Sequence, residues 1–166
     1  VALTKSDFHE IVDDHAPALF RLAYRMIGDA HEAEDVVQET LRSAWQSRSR
    51  FDSGRSQRAW LASILRRRVV DRWRRKARTP STAGEQGIEL AVEAADPLAN
   101  DMTDEMQHAL NQLSPDLRES LLLVVVGELT HQEAADSLGV PLGTVLSRVS
   151  RARRRLRQHL MSATRP

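Results

Sequence analysis

Apolar residues recur along this chain at steps of three and four, and strict alternation is rare. Between Asp7 and Met26 the repeat runs through Phe8, Ile11, Val12, Leu19, Leu22, Ala23 and Met26. Pro17 falls inside it. Proline is best tolerated in a first helical turn, so the pattern predicts one helix that stops there and a second that starts at Pro17. Gly28 ends that helix, and Asp29 caps the next, from Ala30 to about Ser47, with Ala33, Val37, Leu41, Ala44 and Trp45 facing inward. The period breaks over Ser47 to Gln57, SRSRFDSGRSQ, which reads as a loop. It resumes from Arg58 to Lys76, where Leu61, Leu65, Val69 and Trp73 stand at steps of four with Trp60 and Ile64 beside them. From Thr79 to about Thr103 it is lost among Pro80, Gly84, Gly87, Pro97 and small or acidic residues, the composition of a linker. Asp104 to Leu113 and Pro115 to Gly127 predict two more helices, with Leu110, Leu113, Leu117, Leu121, Leu122 and Val125 packed beneath the C-terminal pair of helices.

That pair, Leu129 to Arg157, is the most informative stretch. Thr130 and Glu133 form a capping box ahead of Ala134, Ala135 and Leu138. Gly139 suits a left-handed helix end, and Pro141 blocks continuation. A second helix opens at Gly143 and Thr144, with Val145, Val149, Ala152, Leu156 and Leu160 as one buried stripe. Thr144, Ser147, Arg151 and Arg154 lie opposite that stripe, with Arg148 and Arg155 on a flank. A helix, a tight turn and a second helix presenting arginines and hydroxyls form a helix-turn-helix suited to a DNA major groove. The plainer alternative is a two-helix packing unit with a solvated basic face. The small alanines, the turn and the lack of any acid after Asp136 favour DNA.

Composition narrows the rest. Aromatic residues are 4% of the chain, so the core is built from Leu, Val and Ala, and an all-α fold is expected: two small helical domains, 1–78 and 104–166, joined by a flexible acidic linker, 79–103. There is no cysteine, which excludes disulfides and thiolate metal sites. No signal peptide, lipidation motif or apolar run of membrane length is present, so no membrane insertion and a cytoplasmic location are expected. The net charge of +1 conceals a segregation. Arg48 to Arg78 is opposed only by Asp52 and Asp71, whereas Thr79 to Glu105 has no Lys or Arg at all. Two basic blocks around an acidic connector point to two nucleic-acid contacts joined by a segment that avoids DNA.

The 47–57 loop mixes hydroxyls, arginines and Phe51, a set able to cradle phosphates and bind an unstacked base. Arg66, Arg67, Arg68, Arg72, Arg74 and Arg75 crowd the next helix and repel one another unless an anion is near. Trp45 and Trp73 are expected in the core. On the third helix, Glu32, Asp35, Gln38 and Glu39 are left largely outside. His31, Asp35 and Glu39 have helical spacing for a metal, but no fourth ligand converges, so this face is read as solvated or as a dock for a basic partner. No cofactor is expected. No phosphate-binding glycine loop, nucleophile motif or HExxH is present, which argues against an enzyme.

HAPALFRLAYRMIGDAHEAEDVVQETLRSAW, RFDSGRSQRAWLASILRRRVVDRWRR and LSPDLRESLLLVVVGELTHQEAADSLGVPLGTVLSRVSRARRRLRQHL occur in that order. Together they resemble regions 2 and 4 of the extracytoplasmic-function sigma factors, the two-domain initiation factors of bacterial RNA polymerase. The resemblance implies that Asp35, Gln38 and Glu39 bind the clamp helices of core RNA polymerase. It implies that Arg50, Phe51, Ser53, Arg55, Ser56 and Gln57, with Arg58, Trp60 and Arg67 on the next helix, hold the melted −10 element with one base flipped into a pocket. It assigns Thr144, Ser147, Arg148, Arg151, Arg154 and Arg155 to duplex promoter DNA at −35, and threads the linker toward the active-site cleft and RNA exit path. Many relatives are held by an anti-sigma factor. The family commonly has Lys where this chain has Leu146, leaving an apolar side chain for a thymine methyl or a partner, and often an aromatic where Gln57 sits. The competing reading is a stand-alone helix-turn-helix regulator with an N-terminal partner-binding domain.

Overall fold

A computed structural model describes residues 3–78 and 104–163, and every regular element among them is helical. The linker expected at 79–103 lies outside the described residues.

Helix α1, Lys5–Ile27, begins at a capping box in which Thr4 and Asp7 each accept from the other's backbone. The Thr4 hydroxyl and amide hold the Asp7 carboxyl below its ordinary pKa. Pro17 lies inside α1 and does not start a second helix. The carbonyl it leaves unpaired is that of Asp13, an exposed residue open to water, while buried Ile11, Leu19 and Leu22 fasten the turns on both sides. Asp29 caps α2, Ala30–Gln46, through the Glu32 amide at 2.9 Å. Its inner face is Ala33, Val36, Val37, Thr40 and Ala44, with Leu41 and Trp45 half-buried. Thr40 is admitted to the core because its hydroxyl donates to the Val36 carbonyl at 2.7 Å. A single 3-10 turn, Arg48–Arg50, precedes α3, Gln57–Arg78.

In the C-terminal half, α4 is Asp104–Asn111 and α5 is Pro115–Val125, with Pro115 at the first turn. Val125, expected in the core, is exposed; Glu119 and Ser120 are buried instead. Helix α6, His131–Leu138, has the Thr130–Glu133 capping box. Gly139 ends it at φ 67°, a conformation that carries little penalty only without a Cβ. Helix α7, Leu142–Ala163, starts one residue ahead of the expected Gly143, directly after Pro141. Val145, Val149 and Ala152 are buried under α5 and α6, and Leu156 and Leu160 are half-buried.

Helices α1, α2 and α3 pack as one bundle, and α4 to α7 as a second. The bundles are not apart: α1 meets α4 and α5, α3 meets α6, and one continuous apolar cluster runs from Leu22 and Leu65 to Leu110, Leu122 and Val145.

Candidate nucleic-acid interface

The α7 stripe fixes which residues face out. Ser147, Arg151, Arg154 and Arg155 are exposed and Thr144 is half-buried. Ser147 and Arg151 form one ridge: the guanidinium reaches back to the Ser147 carbonyl and hydroxyl, both at 3.4 Å, long bonds that a better acceptor displaces. Arg148 differs. Its side chain is 21% exposed and leans toward Asp116 of α5 at 3.9 Å. Leu142 and Leu146 stand four residues apart on the same first turns and are 39% and 48% exposed.

The second basic surface is the 47–56 segment and the start of α3. Phe51 packs on Trp60 with ring centroids 4.7 Å apart, which joins the loop to the helix. Arg50, Ser53, Arg55, Ser56 and Arg58 are exposed around that pair; Arg67 is exposed two turns further on and donates to the Ser63 carbonyl. Gln57 is half-buried and bonded to His15 of α1 at 3.3 Å. Trp45 and Trp73 are only half-buried, and each carries a guanidinium on its face: Arg48 lies 3.7 Å from the Trp45 centroid and Arg118 lies 5.3 Å from that of Trp73.

The third surface is α2. Asp35 and Gln38 are exposed, as expected. Glu32 and Glu39 are not left outside: both are half-buried, and each pairs with α3 at 3.0 Å, Glu32 with Lys76 and Glu39 with Arg72. With Arg68 donating to Ser43, these pairs bring several of the crowded α3 cations onto α2. Glu39 is thus committed inside the fold, and no group of three or more metal-binding side chains converges among the described residues.

Sigma-70 region 2 matches residues 11–79 and Sigma-70, region 4 matches residues 103–156. The chain is 38% identical over 151 residues to the ECF RNA polymerase sigma factor SigL of Mycobacterium tuberculosis, covering 89% of this chain and 85% of the relative. This chain belongs to the extracytoplasmic-function (ECF) sigma factors. It is also 34% identical over 157 residues to the ECF RNA polymerase sigma factor SigE of Mycolicibacterium smegmatis, covering 91% of this chain and spanning 60% of that relative's length. Among solved structures it is similar to the sigma factor RpoE in complex with the anti-sigma factor NepR from Bartonella quintana, with 33% identity, a TM-score of 0.78, and coverage of 94% of this chain and 98% of the other. An agreement of that extent spans both bundles, so their mutual placement is shared. ECF sigma factors direct promoter-specific transcription initiation; they are initiation factors rather than catalysts.

In this sigma factor the contacts between region 2 and region 4 are what the sequence reading missed. Arg118 of α5 donates to the Leu110, Asn111 and Leu113 carbonyls at 3.0, 2.9 and 3.1 Å and across to the Met26 carbonyl of α1 at 3.3 Å. Gln107 exchanges hydrogen bonds with Arg25, side chain to side chain at 3.0 Å and to its carbonyl at 3.2 Å. Glu119 accepts from Arg66. The sequence signal was present: Arg118 and Glu119 interrupt an apolar helix, and a charge set among apolar neighbours needs a polar partner. Their partners lie too far along the chain for periodicity to name. Among the described residues no helix is long and apolar enough to cross a membrane.

Proposed function

We propose that this ECF sigma factor docks on core RNA polymerase through the exposed part of α2, holds the melted −10 strand on the 47–56 segment and the start of α3, and reads −35 duplex with the first turns of α7. Its region 2 spans 1–78, its linker 79–103 and its region 4 104–166. The observation that carries the reading is the α7 ridge: hydroxyls and arginines with no acid among them, on a helix anchored by a buried apolar stripe. The Phe51–Trp60 pair supports the −10 assignment, since an aromatic platform among exposed arginines suits an unstacked strand. The chain contributes no cofactor and no catalytic side chain; phosphodiester chemistry belongs to the polymerase. It works in the cytoplasm. An anti-sigma factor is a further proposed partner, because RpoE, which shares its domain arrangement, was solved with one.

Reconstitution tests the reading. The chain added to core polymerase supports initiation at a cognate promoter, and the chain alone gives no sequence-specific duplex complex, because the two small DNA-binding modules, packed on each other in the free chain, are held at promoter spacing only on polymerase. Tight, specific duplex binding by the isolated chain contradicts it and favours the stand-alone regulator.

Asp35 is the cleaner probe of the polymerase contact, because Glu39 also holds Arg72. Asp35→Arg is expected to weaken core binding by about 2–5 kcal/mol, while an exposed position shifts folding stability by only about 0.5 kcal/mol. Core affinity and the thermal midpoint, measured together, check this; an unchanged affinity removes α2 from the interface.

Leu146 supplies a specificity contact of its own. An exposed leucine beside Ser147 suits the thymine methyl, the one apolar feature of the major groove. Replacing thymine by uracil removes only that methyl. At one −35 thymine the exchange is expected to weaken holoenzyme binding by about 0.8 kcal/mol, and to have no effect with Leu146→Ala. Equal losses in both proteins would show that the methyl meets something else.

A further inference from the structure

Helix α2 ends without the device that ends α1 and α6. Those two stop on left-handed glycines, Gly28 at φ 81° and Gly139 at φ 67°, so their ends are set by the backbone. Ser47, which follows α2, has φ −101° and ψ 11°, and the last turn of α2 holds no basic residue. Side chains finish this helix instead. The Ser47 hydroxyl donates to the Ser43 carbonyl at 2.8 Å. Arg48 turns back over the helix end: its Nη1 donates to the Trp45 carbonyl at 2.7 Å, and its guanidinium carbon lies 3.7 Å from the centroid of the Trp45 ring. A cation placed there meets both the partial negative charge of a helix C-terminus and the negative face of an aromatic ring. Trp45 is backed in turn by Phe8 of α1, with ring centroids 5.1 Å apart and the planes at 62°. From the other side, Arg68 of α3 donates to the Ser43 hydroxyl.

This helix end is where the proposed −10 segment begins. The 3-10 turn Arg48–Arg50 starts from it, with the Arg50 amide donating to the Ser47 carbonyl at 2.8 Å and the Phe51 amide to the Arg48 carbonyl at 3.3 Å. Ser47 and Arg48 therefore set the direction in which Arg50 and Phe51 leave α2, and Phe51 carries that direction to Trp60.

We propose that Arg48 is a positioning residue for −10 recognition: it acts through Trp45, holds the turn that aims Arg50 and Phe51 at the melted strand, and makes no DNA contact of its own. The inference rests on the −10 assignment above. The rival role is a phosphate contact, since Arg48 is a cation two residues from exposed Arg50. Its surroundings oppose that role. Reaching a phosphate would take the guanidinium off both the carbonyl and the ring, and would leave the end of α2 without a cation.

The two roles differ in their response to base sequence and to salt. The probe is a single-stranded oligonucleotide carrying the −10 element of a cognate promoter, with its single-base variants, bound by holoenzyme across a salt series. Arg48→Ala is expected to lower the preference for the cognate bases about fivefold, because a loosened turn must be ordered at each binding event. Core affinity, −35 preference and the salt dependence of strand binding are expected to stay as in the parent. Trp45→Leu is expected to lower the −10 preference by a similar factor, and the double variant to lose little more than either single one, as residues acting as a unit do. Thermal midpoints are read on every variant. If Trp45→Leu does not fold, the preference and salt dependence of Arg48→Ala decide alone. An Arg48→Ala holoenzyme that weakens all strands alike, with a salt slope shallower by about 0.7, overturns the proposal in favour of a phosphate contact. So does an Arg48→Ala holoenzyme with the parental −10 preference, or a double variant in which the two losses multiply. A parent holoenzyme with no −10 preference overturns the −10 assignment itself, a failure read before any variant and so distinct from failure of the positioning role.

Discussion

Arg118→Ala is expected to lower the unfolding free energy by about 3 kcal/mol, the largest loss foreseen for a residue outside the apolar core. Its guanidinium closes the C-terminal end of α4 by donating to the Leu110, Asn111 and Leu113 carbonyls, reaches the last turn of α1 at the Met26 carbonyl, and lies on the face of Trp73. Burial draws its pKa down, yet from so high a starting value that it stays charged. Hydrogen bonds from a charged donor contribute about 1.5–3 kcal/mol each, but the four are not additive, because water reaches some carbonyls once the side chain is gone. Arg118→Lys keeps the charge without the planar fork and is expected to recover less than half of the loss. Urea titrations of the three proteins measure it. A loss below about 1 kcal/mol for the alanine variant would show that water replaces the guanidinium without penalty.

Arg151→Ala is expected to relax discrimination at one −35 base pair by about 1–3 kcal/mol, the worth of a bidentate arginine–guanine contact. Arg151 is ranked above Arg148 because it is exposed on the outward ridge, whereas Arg148 is largely covered and leans on Asp116. Arg154, Arg155 and Arg157 lie further along α7, where the proposed docking takes the helix out of the groove. Their alanine variants are expected to weaken all sequences alike and to flatten the salt dependence of binding. Competition of holoenzyme for promoters differing by single −35 base pairs separates the two behaviours: a selectivity change from Arg157→Ala, with none from Arg151→Ala, would exchange their roles.

The helix-turn-helix was legible almost residue by residue, because caps, the left-handed glycine and a 3.6-residue stripe are local signals. Thr130, Glu133 and Gly139 do what their spacing says, and Val145, Val149 and Ala152 are buried as read. Pro17 misled, because a local rule met a helix held on both sides by packing. Val125 misled because it is the last residue of α5: it is in phase with buried Leu121 and Leu122 but sits at the helix end, where it is exposed. The acidic face of α2 was legible as a face but not as a set of free groups, since Glu32 and Glu39 meet Lys76 and Arg72 across the bundle. The packing of region 4 on α3 left no periodic trace. It depends on Arg66 meeting Glu119 and Arg58 meeting Glu128, side chains separated by 53 and 70 positions respectively.

The most direct test of the promoter-recognition account is initiation by this chain and core polymerase across a library with the −35 and −10 blocks randomised independently. The account predicts two separate blocks of sequence preference, with the −35 block losing selectivity at one base pair in Arg151→Ala and the −10 block unchanged. A −35 profile identical in the parent and Arg151→Ala, or a library with no −35 preference at all, would contradict it.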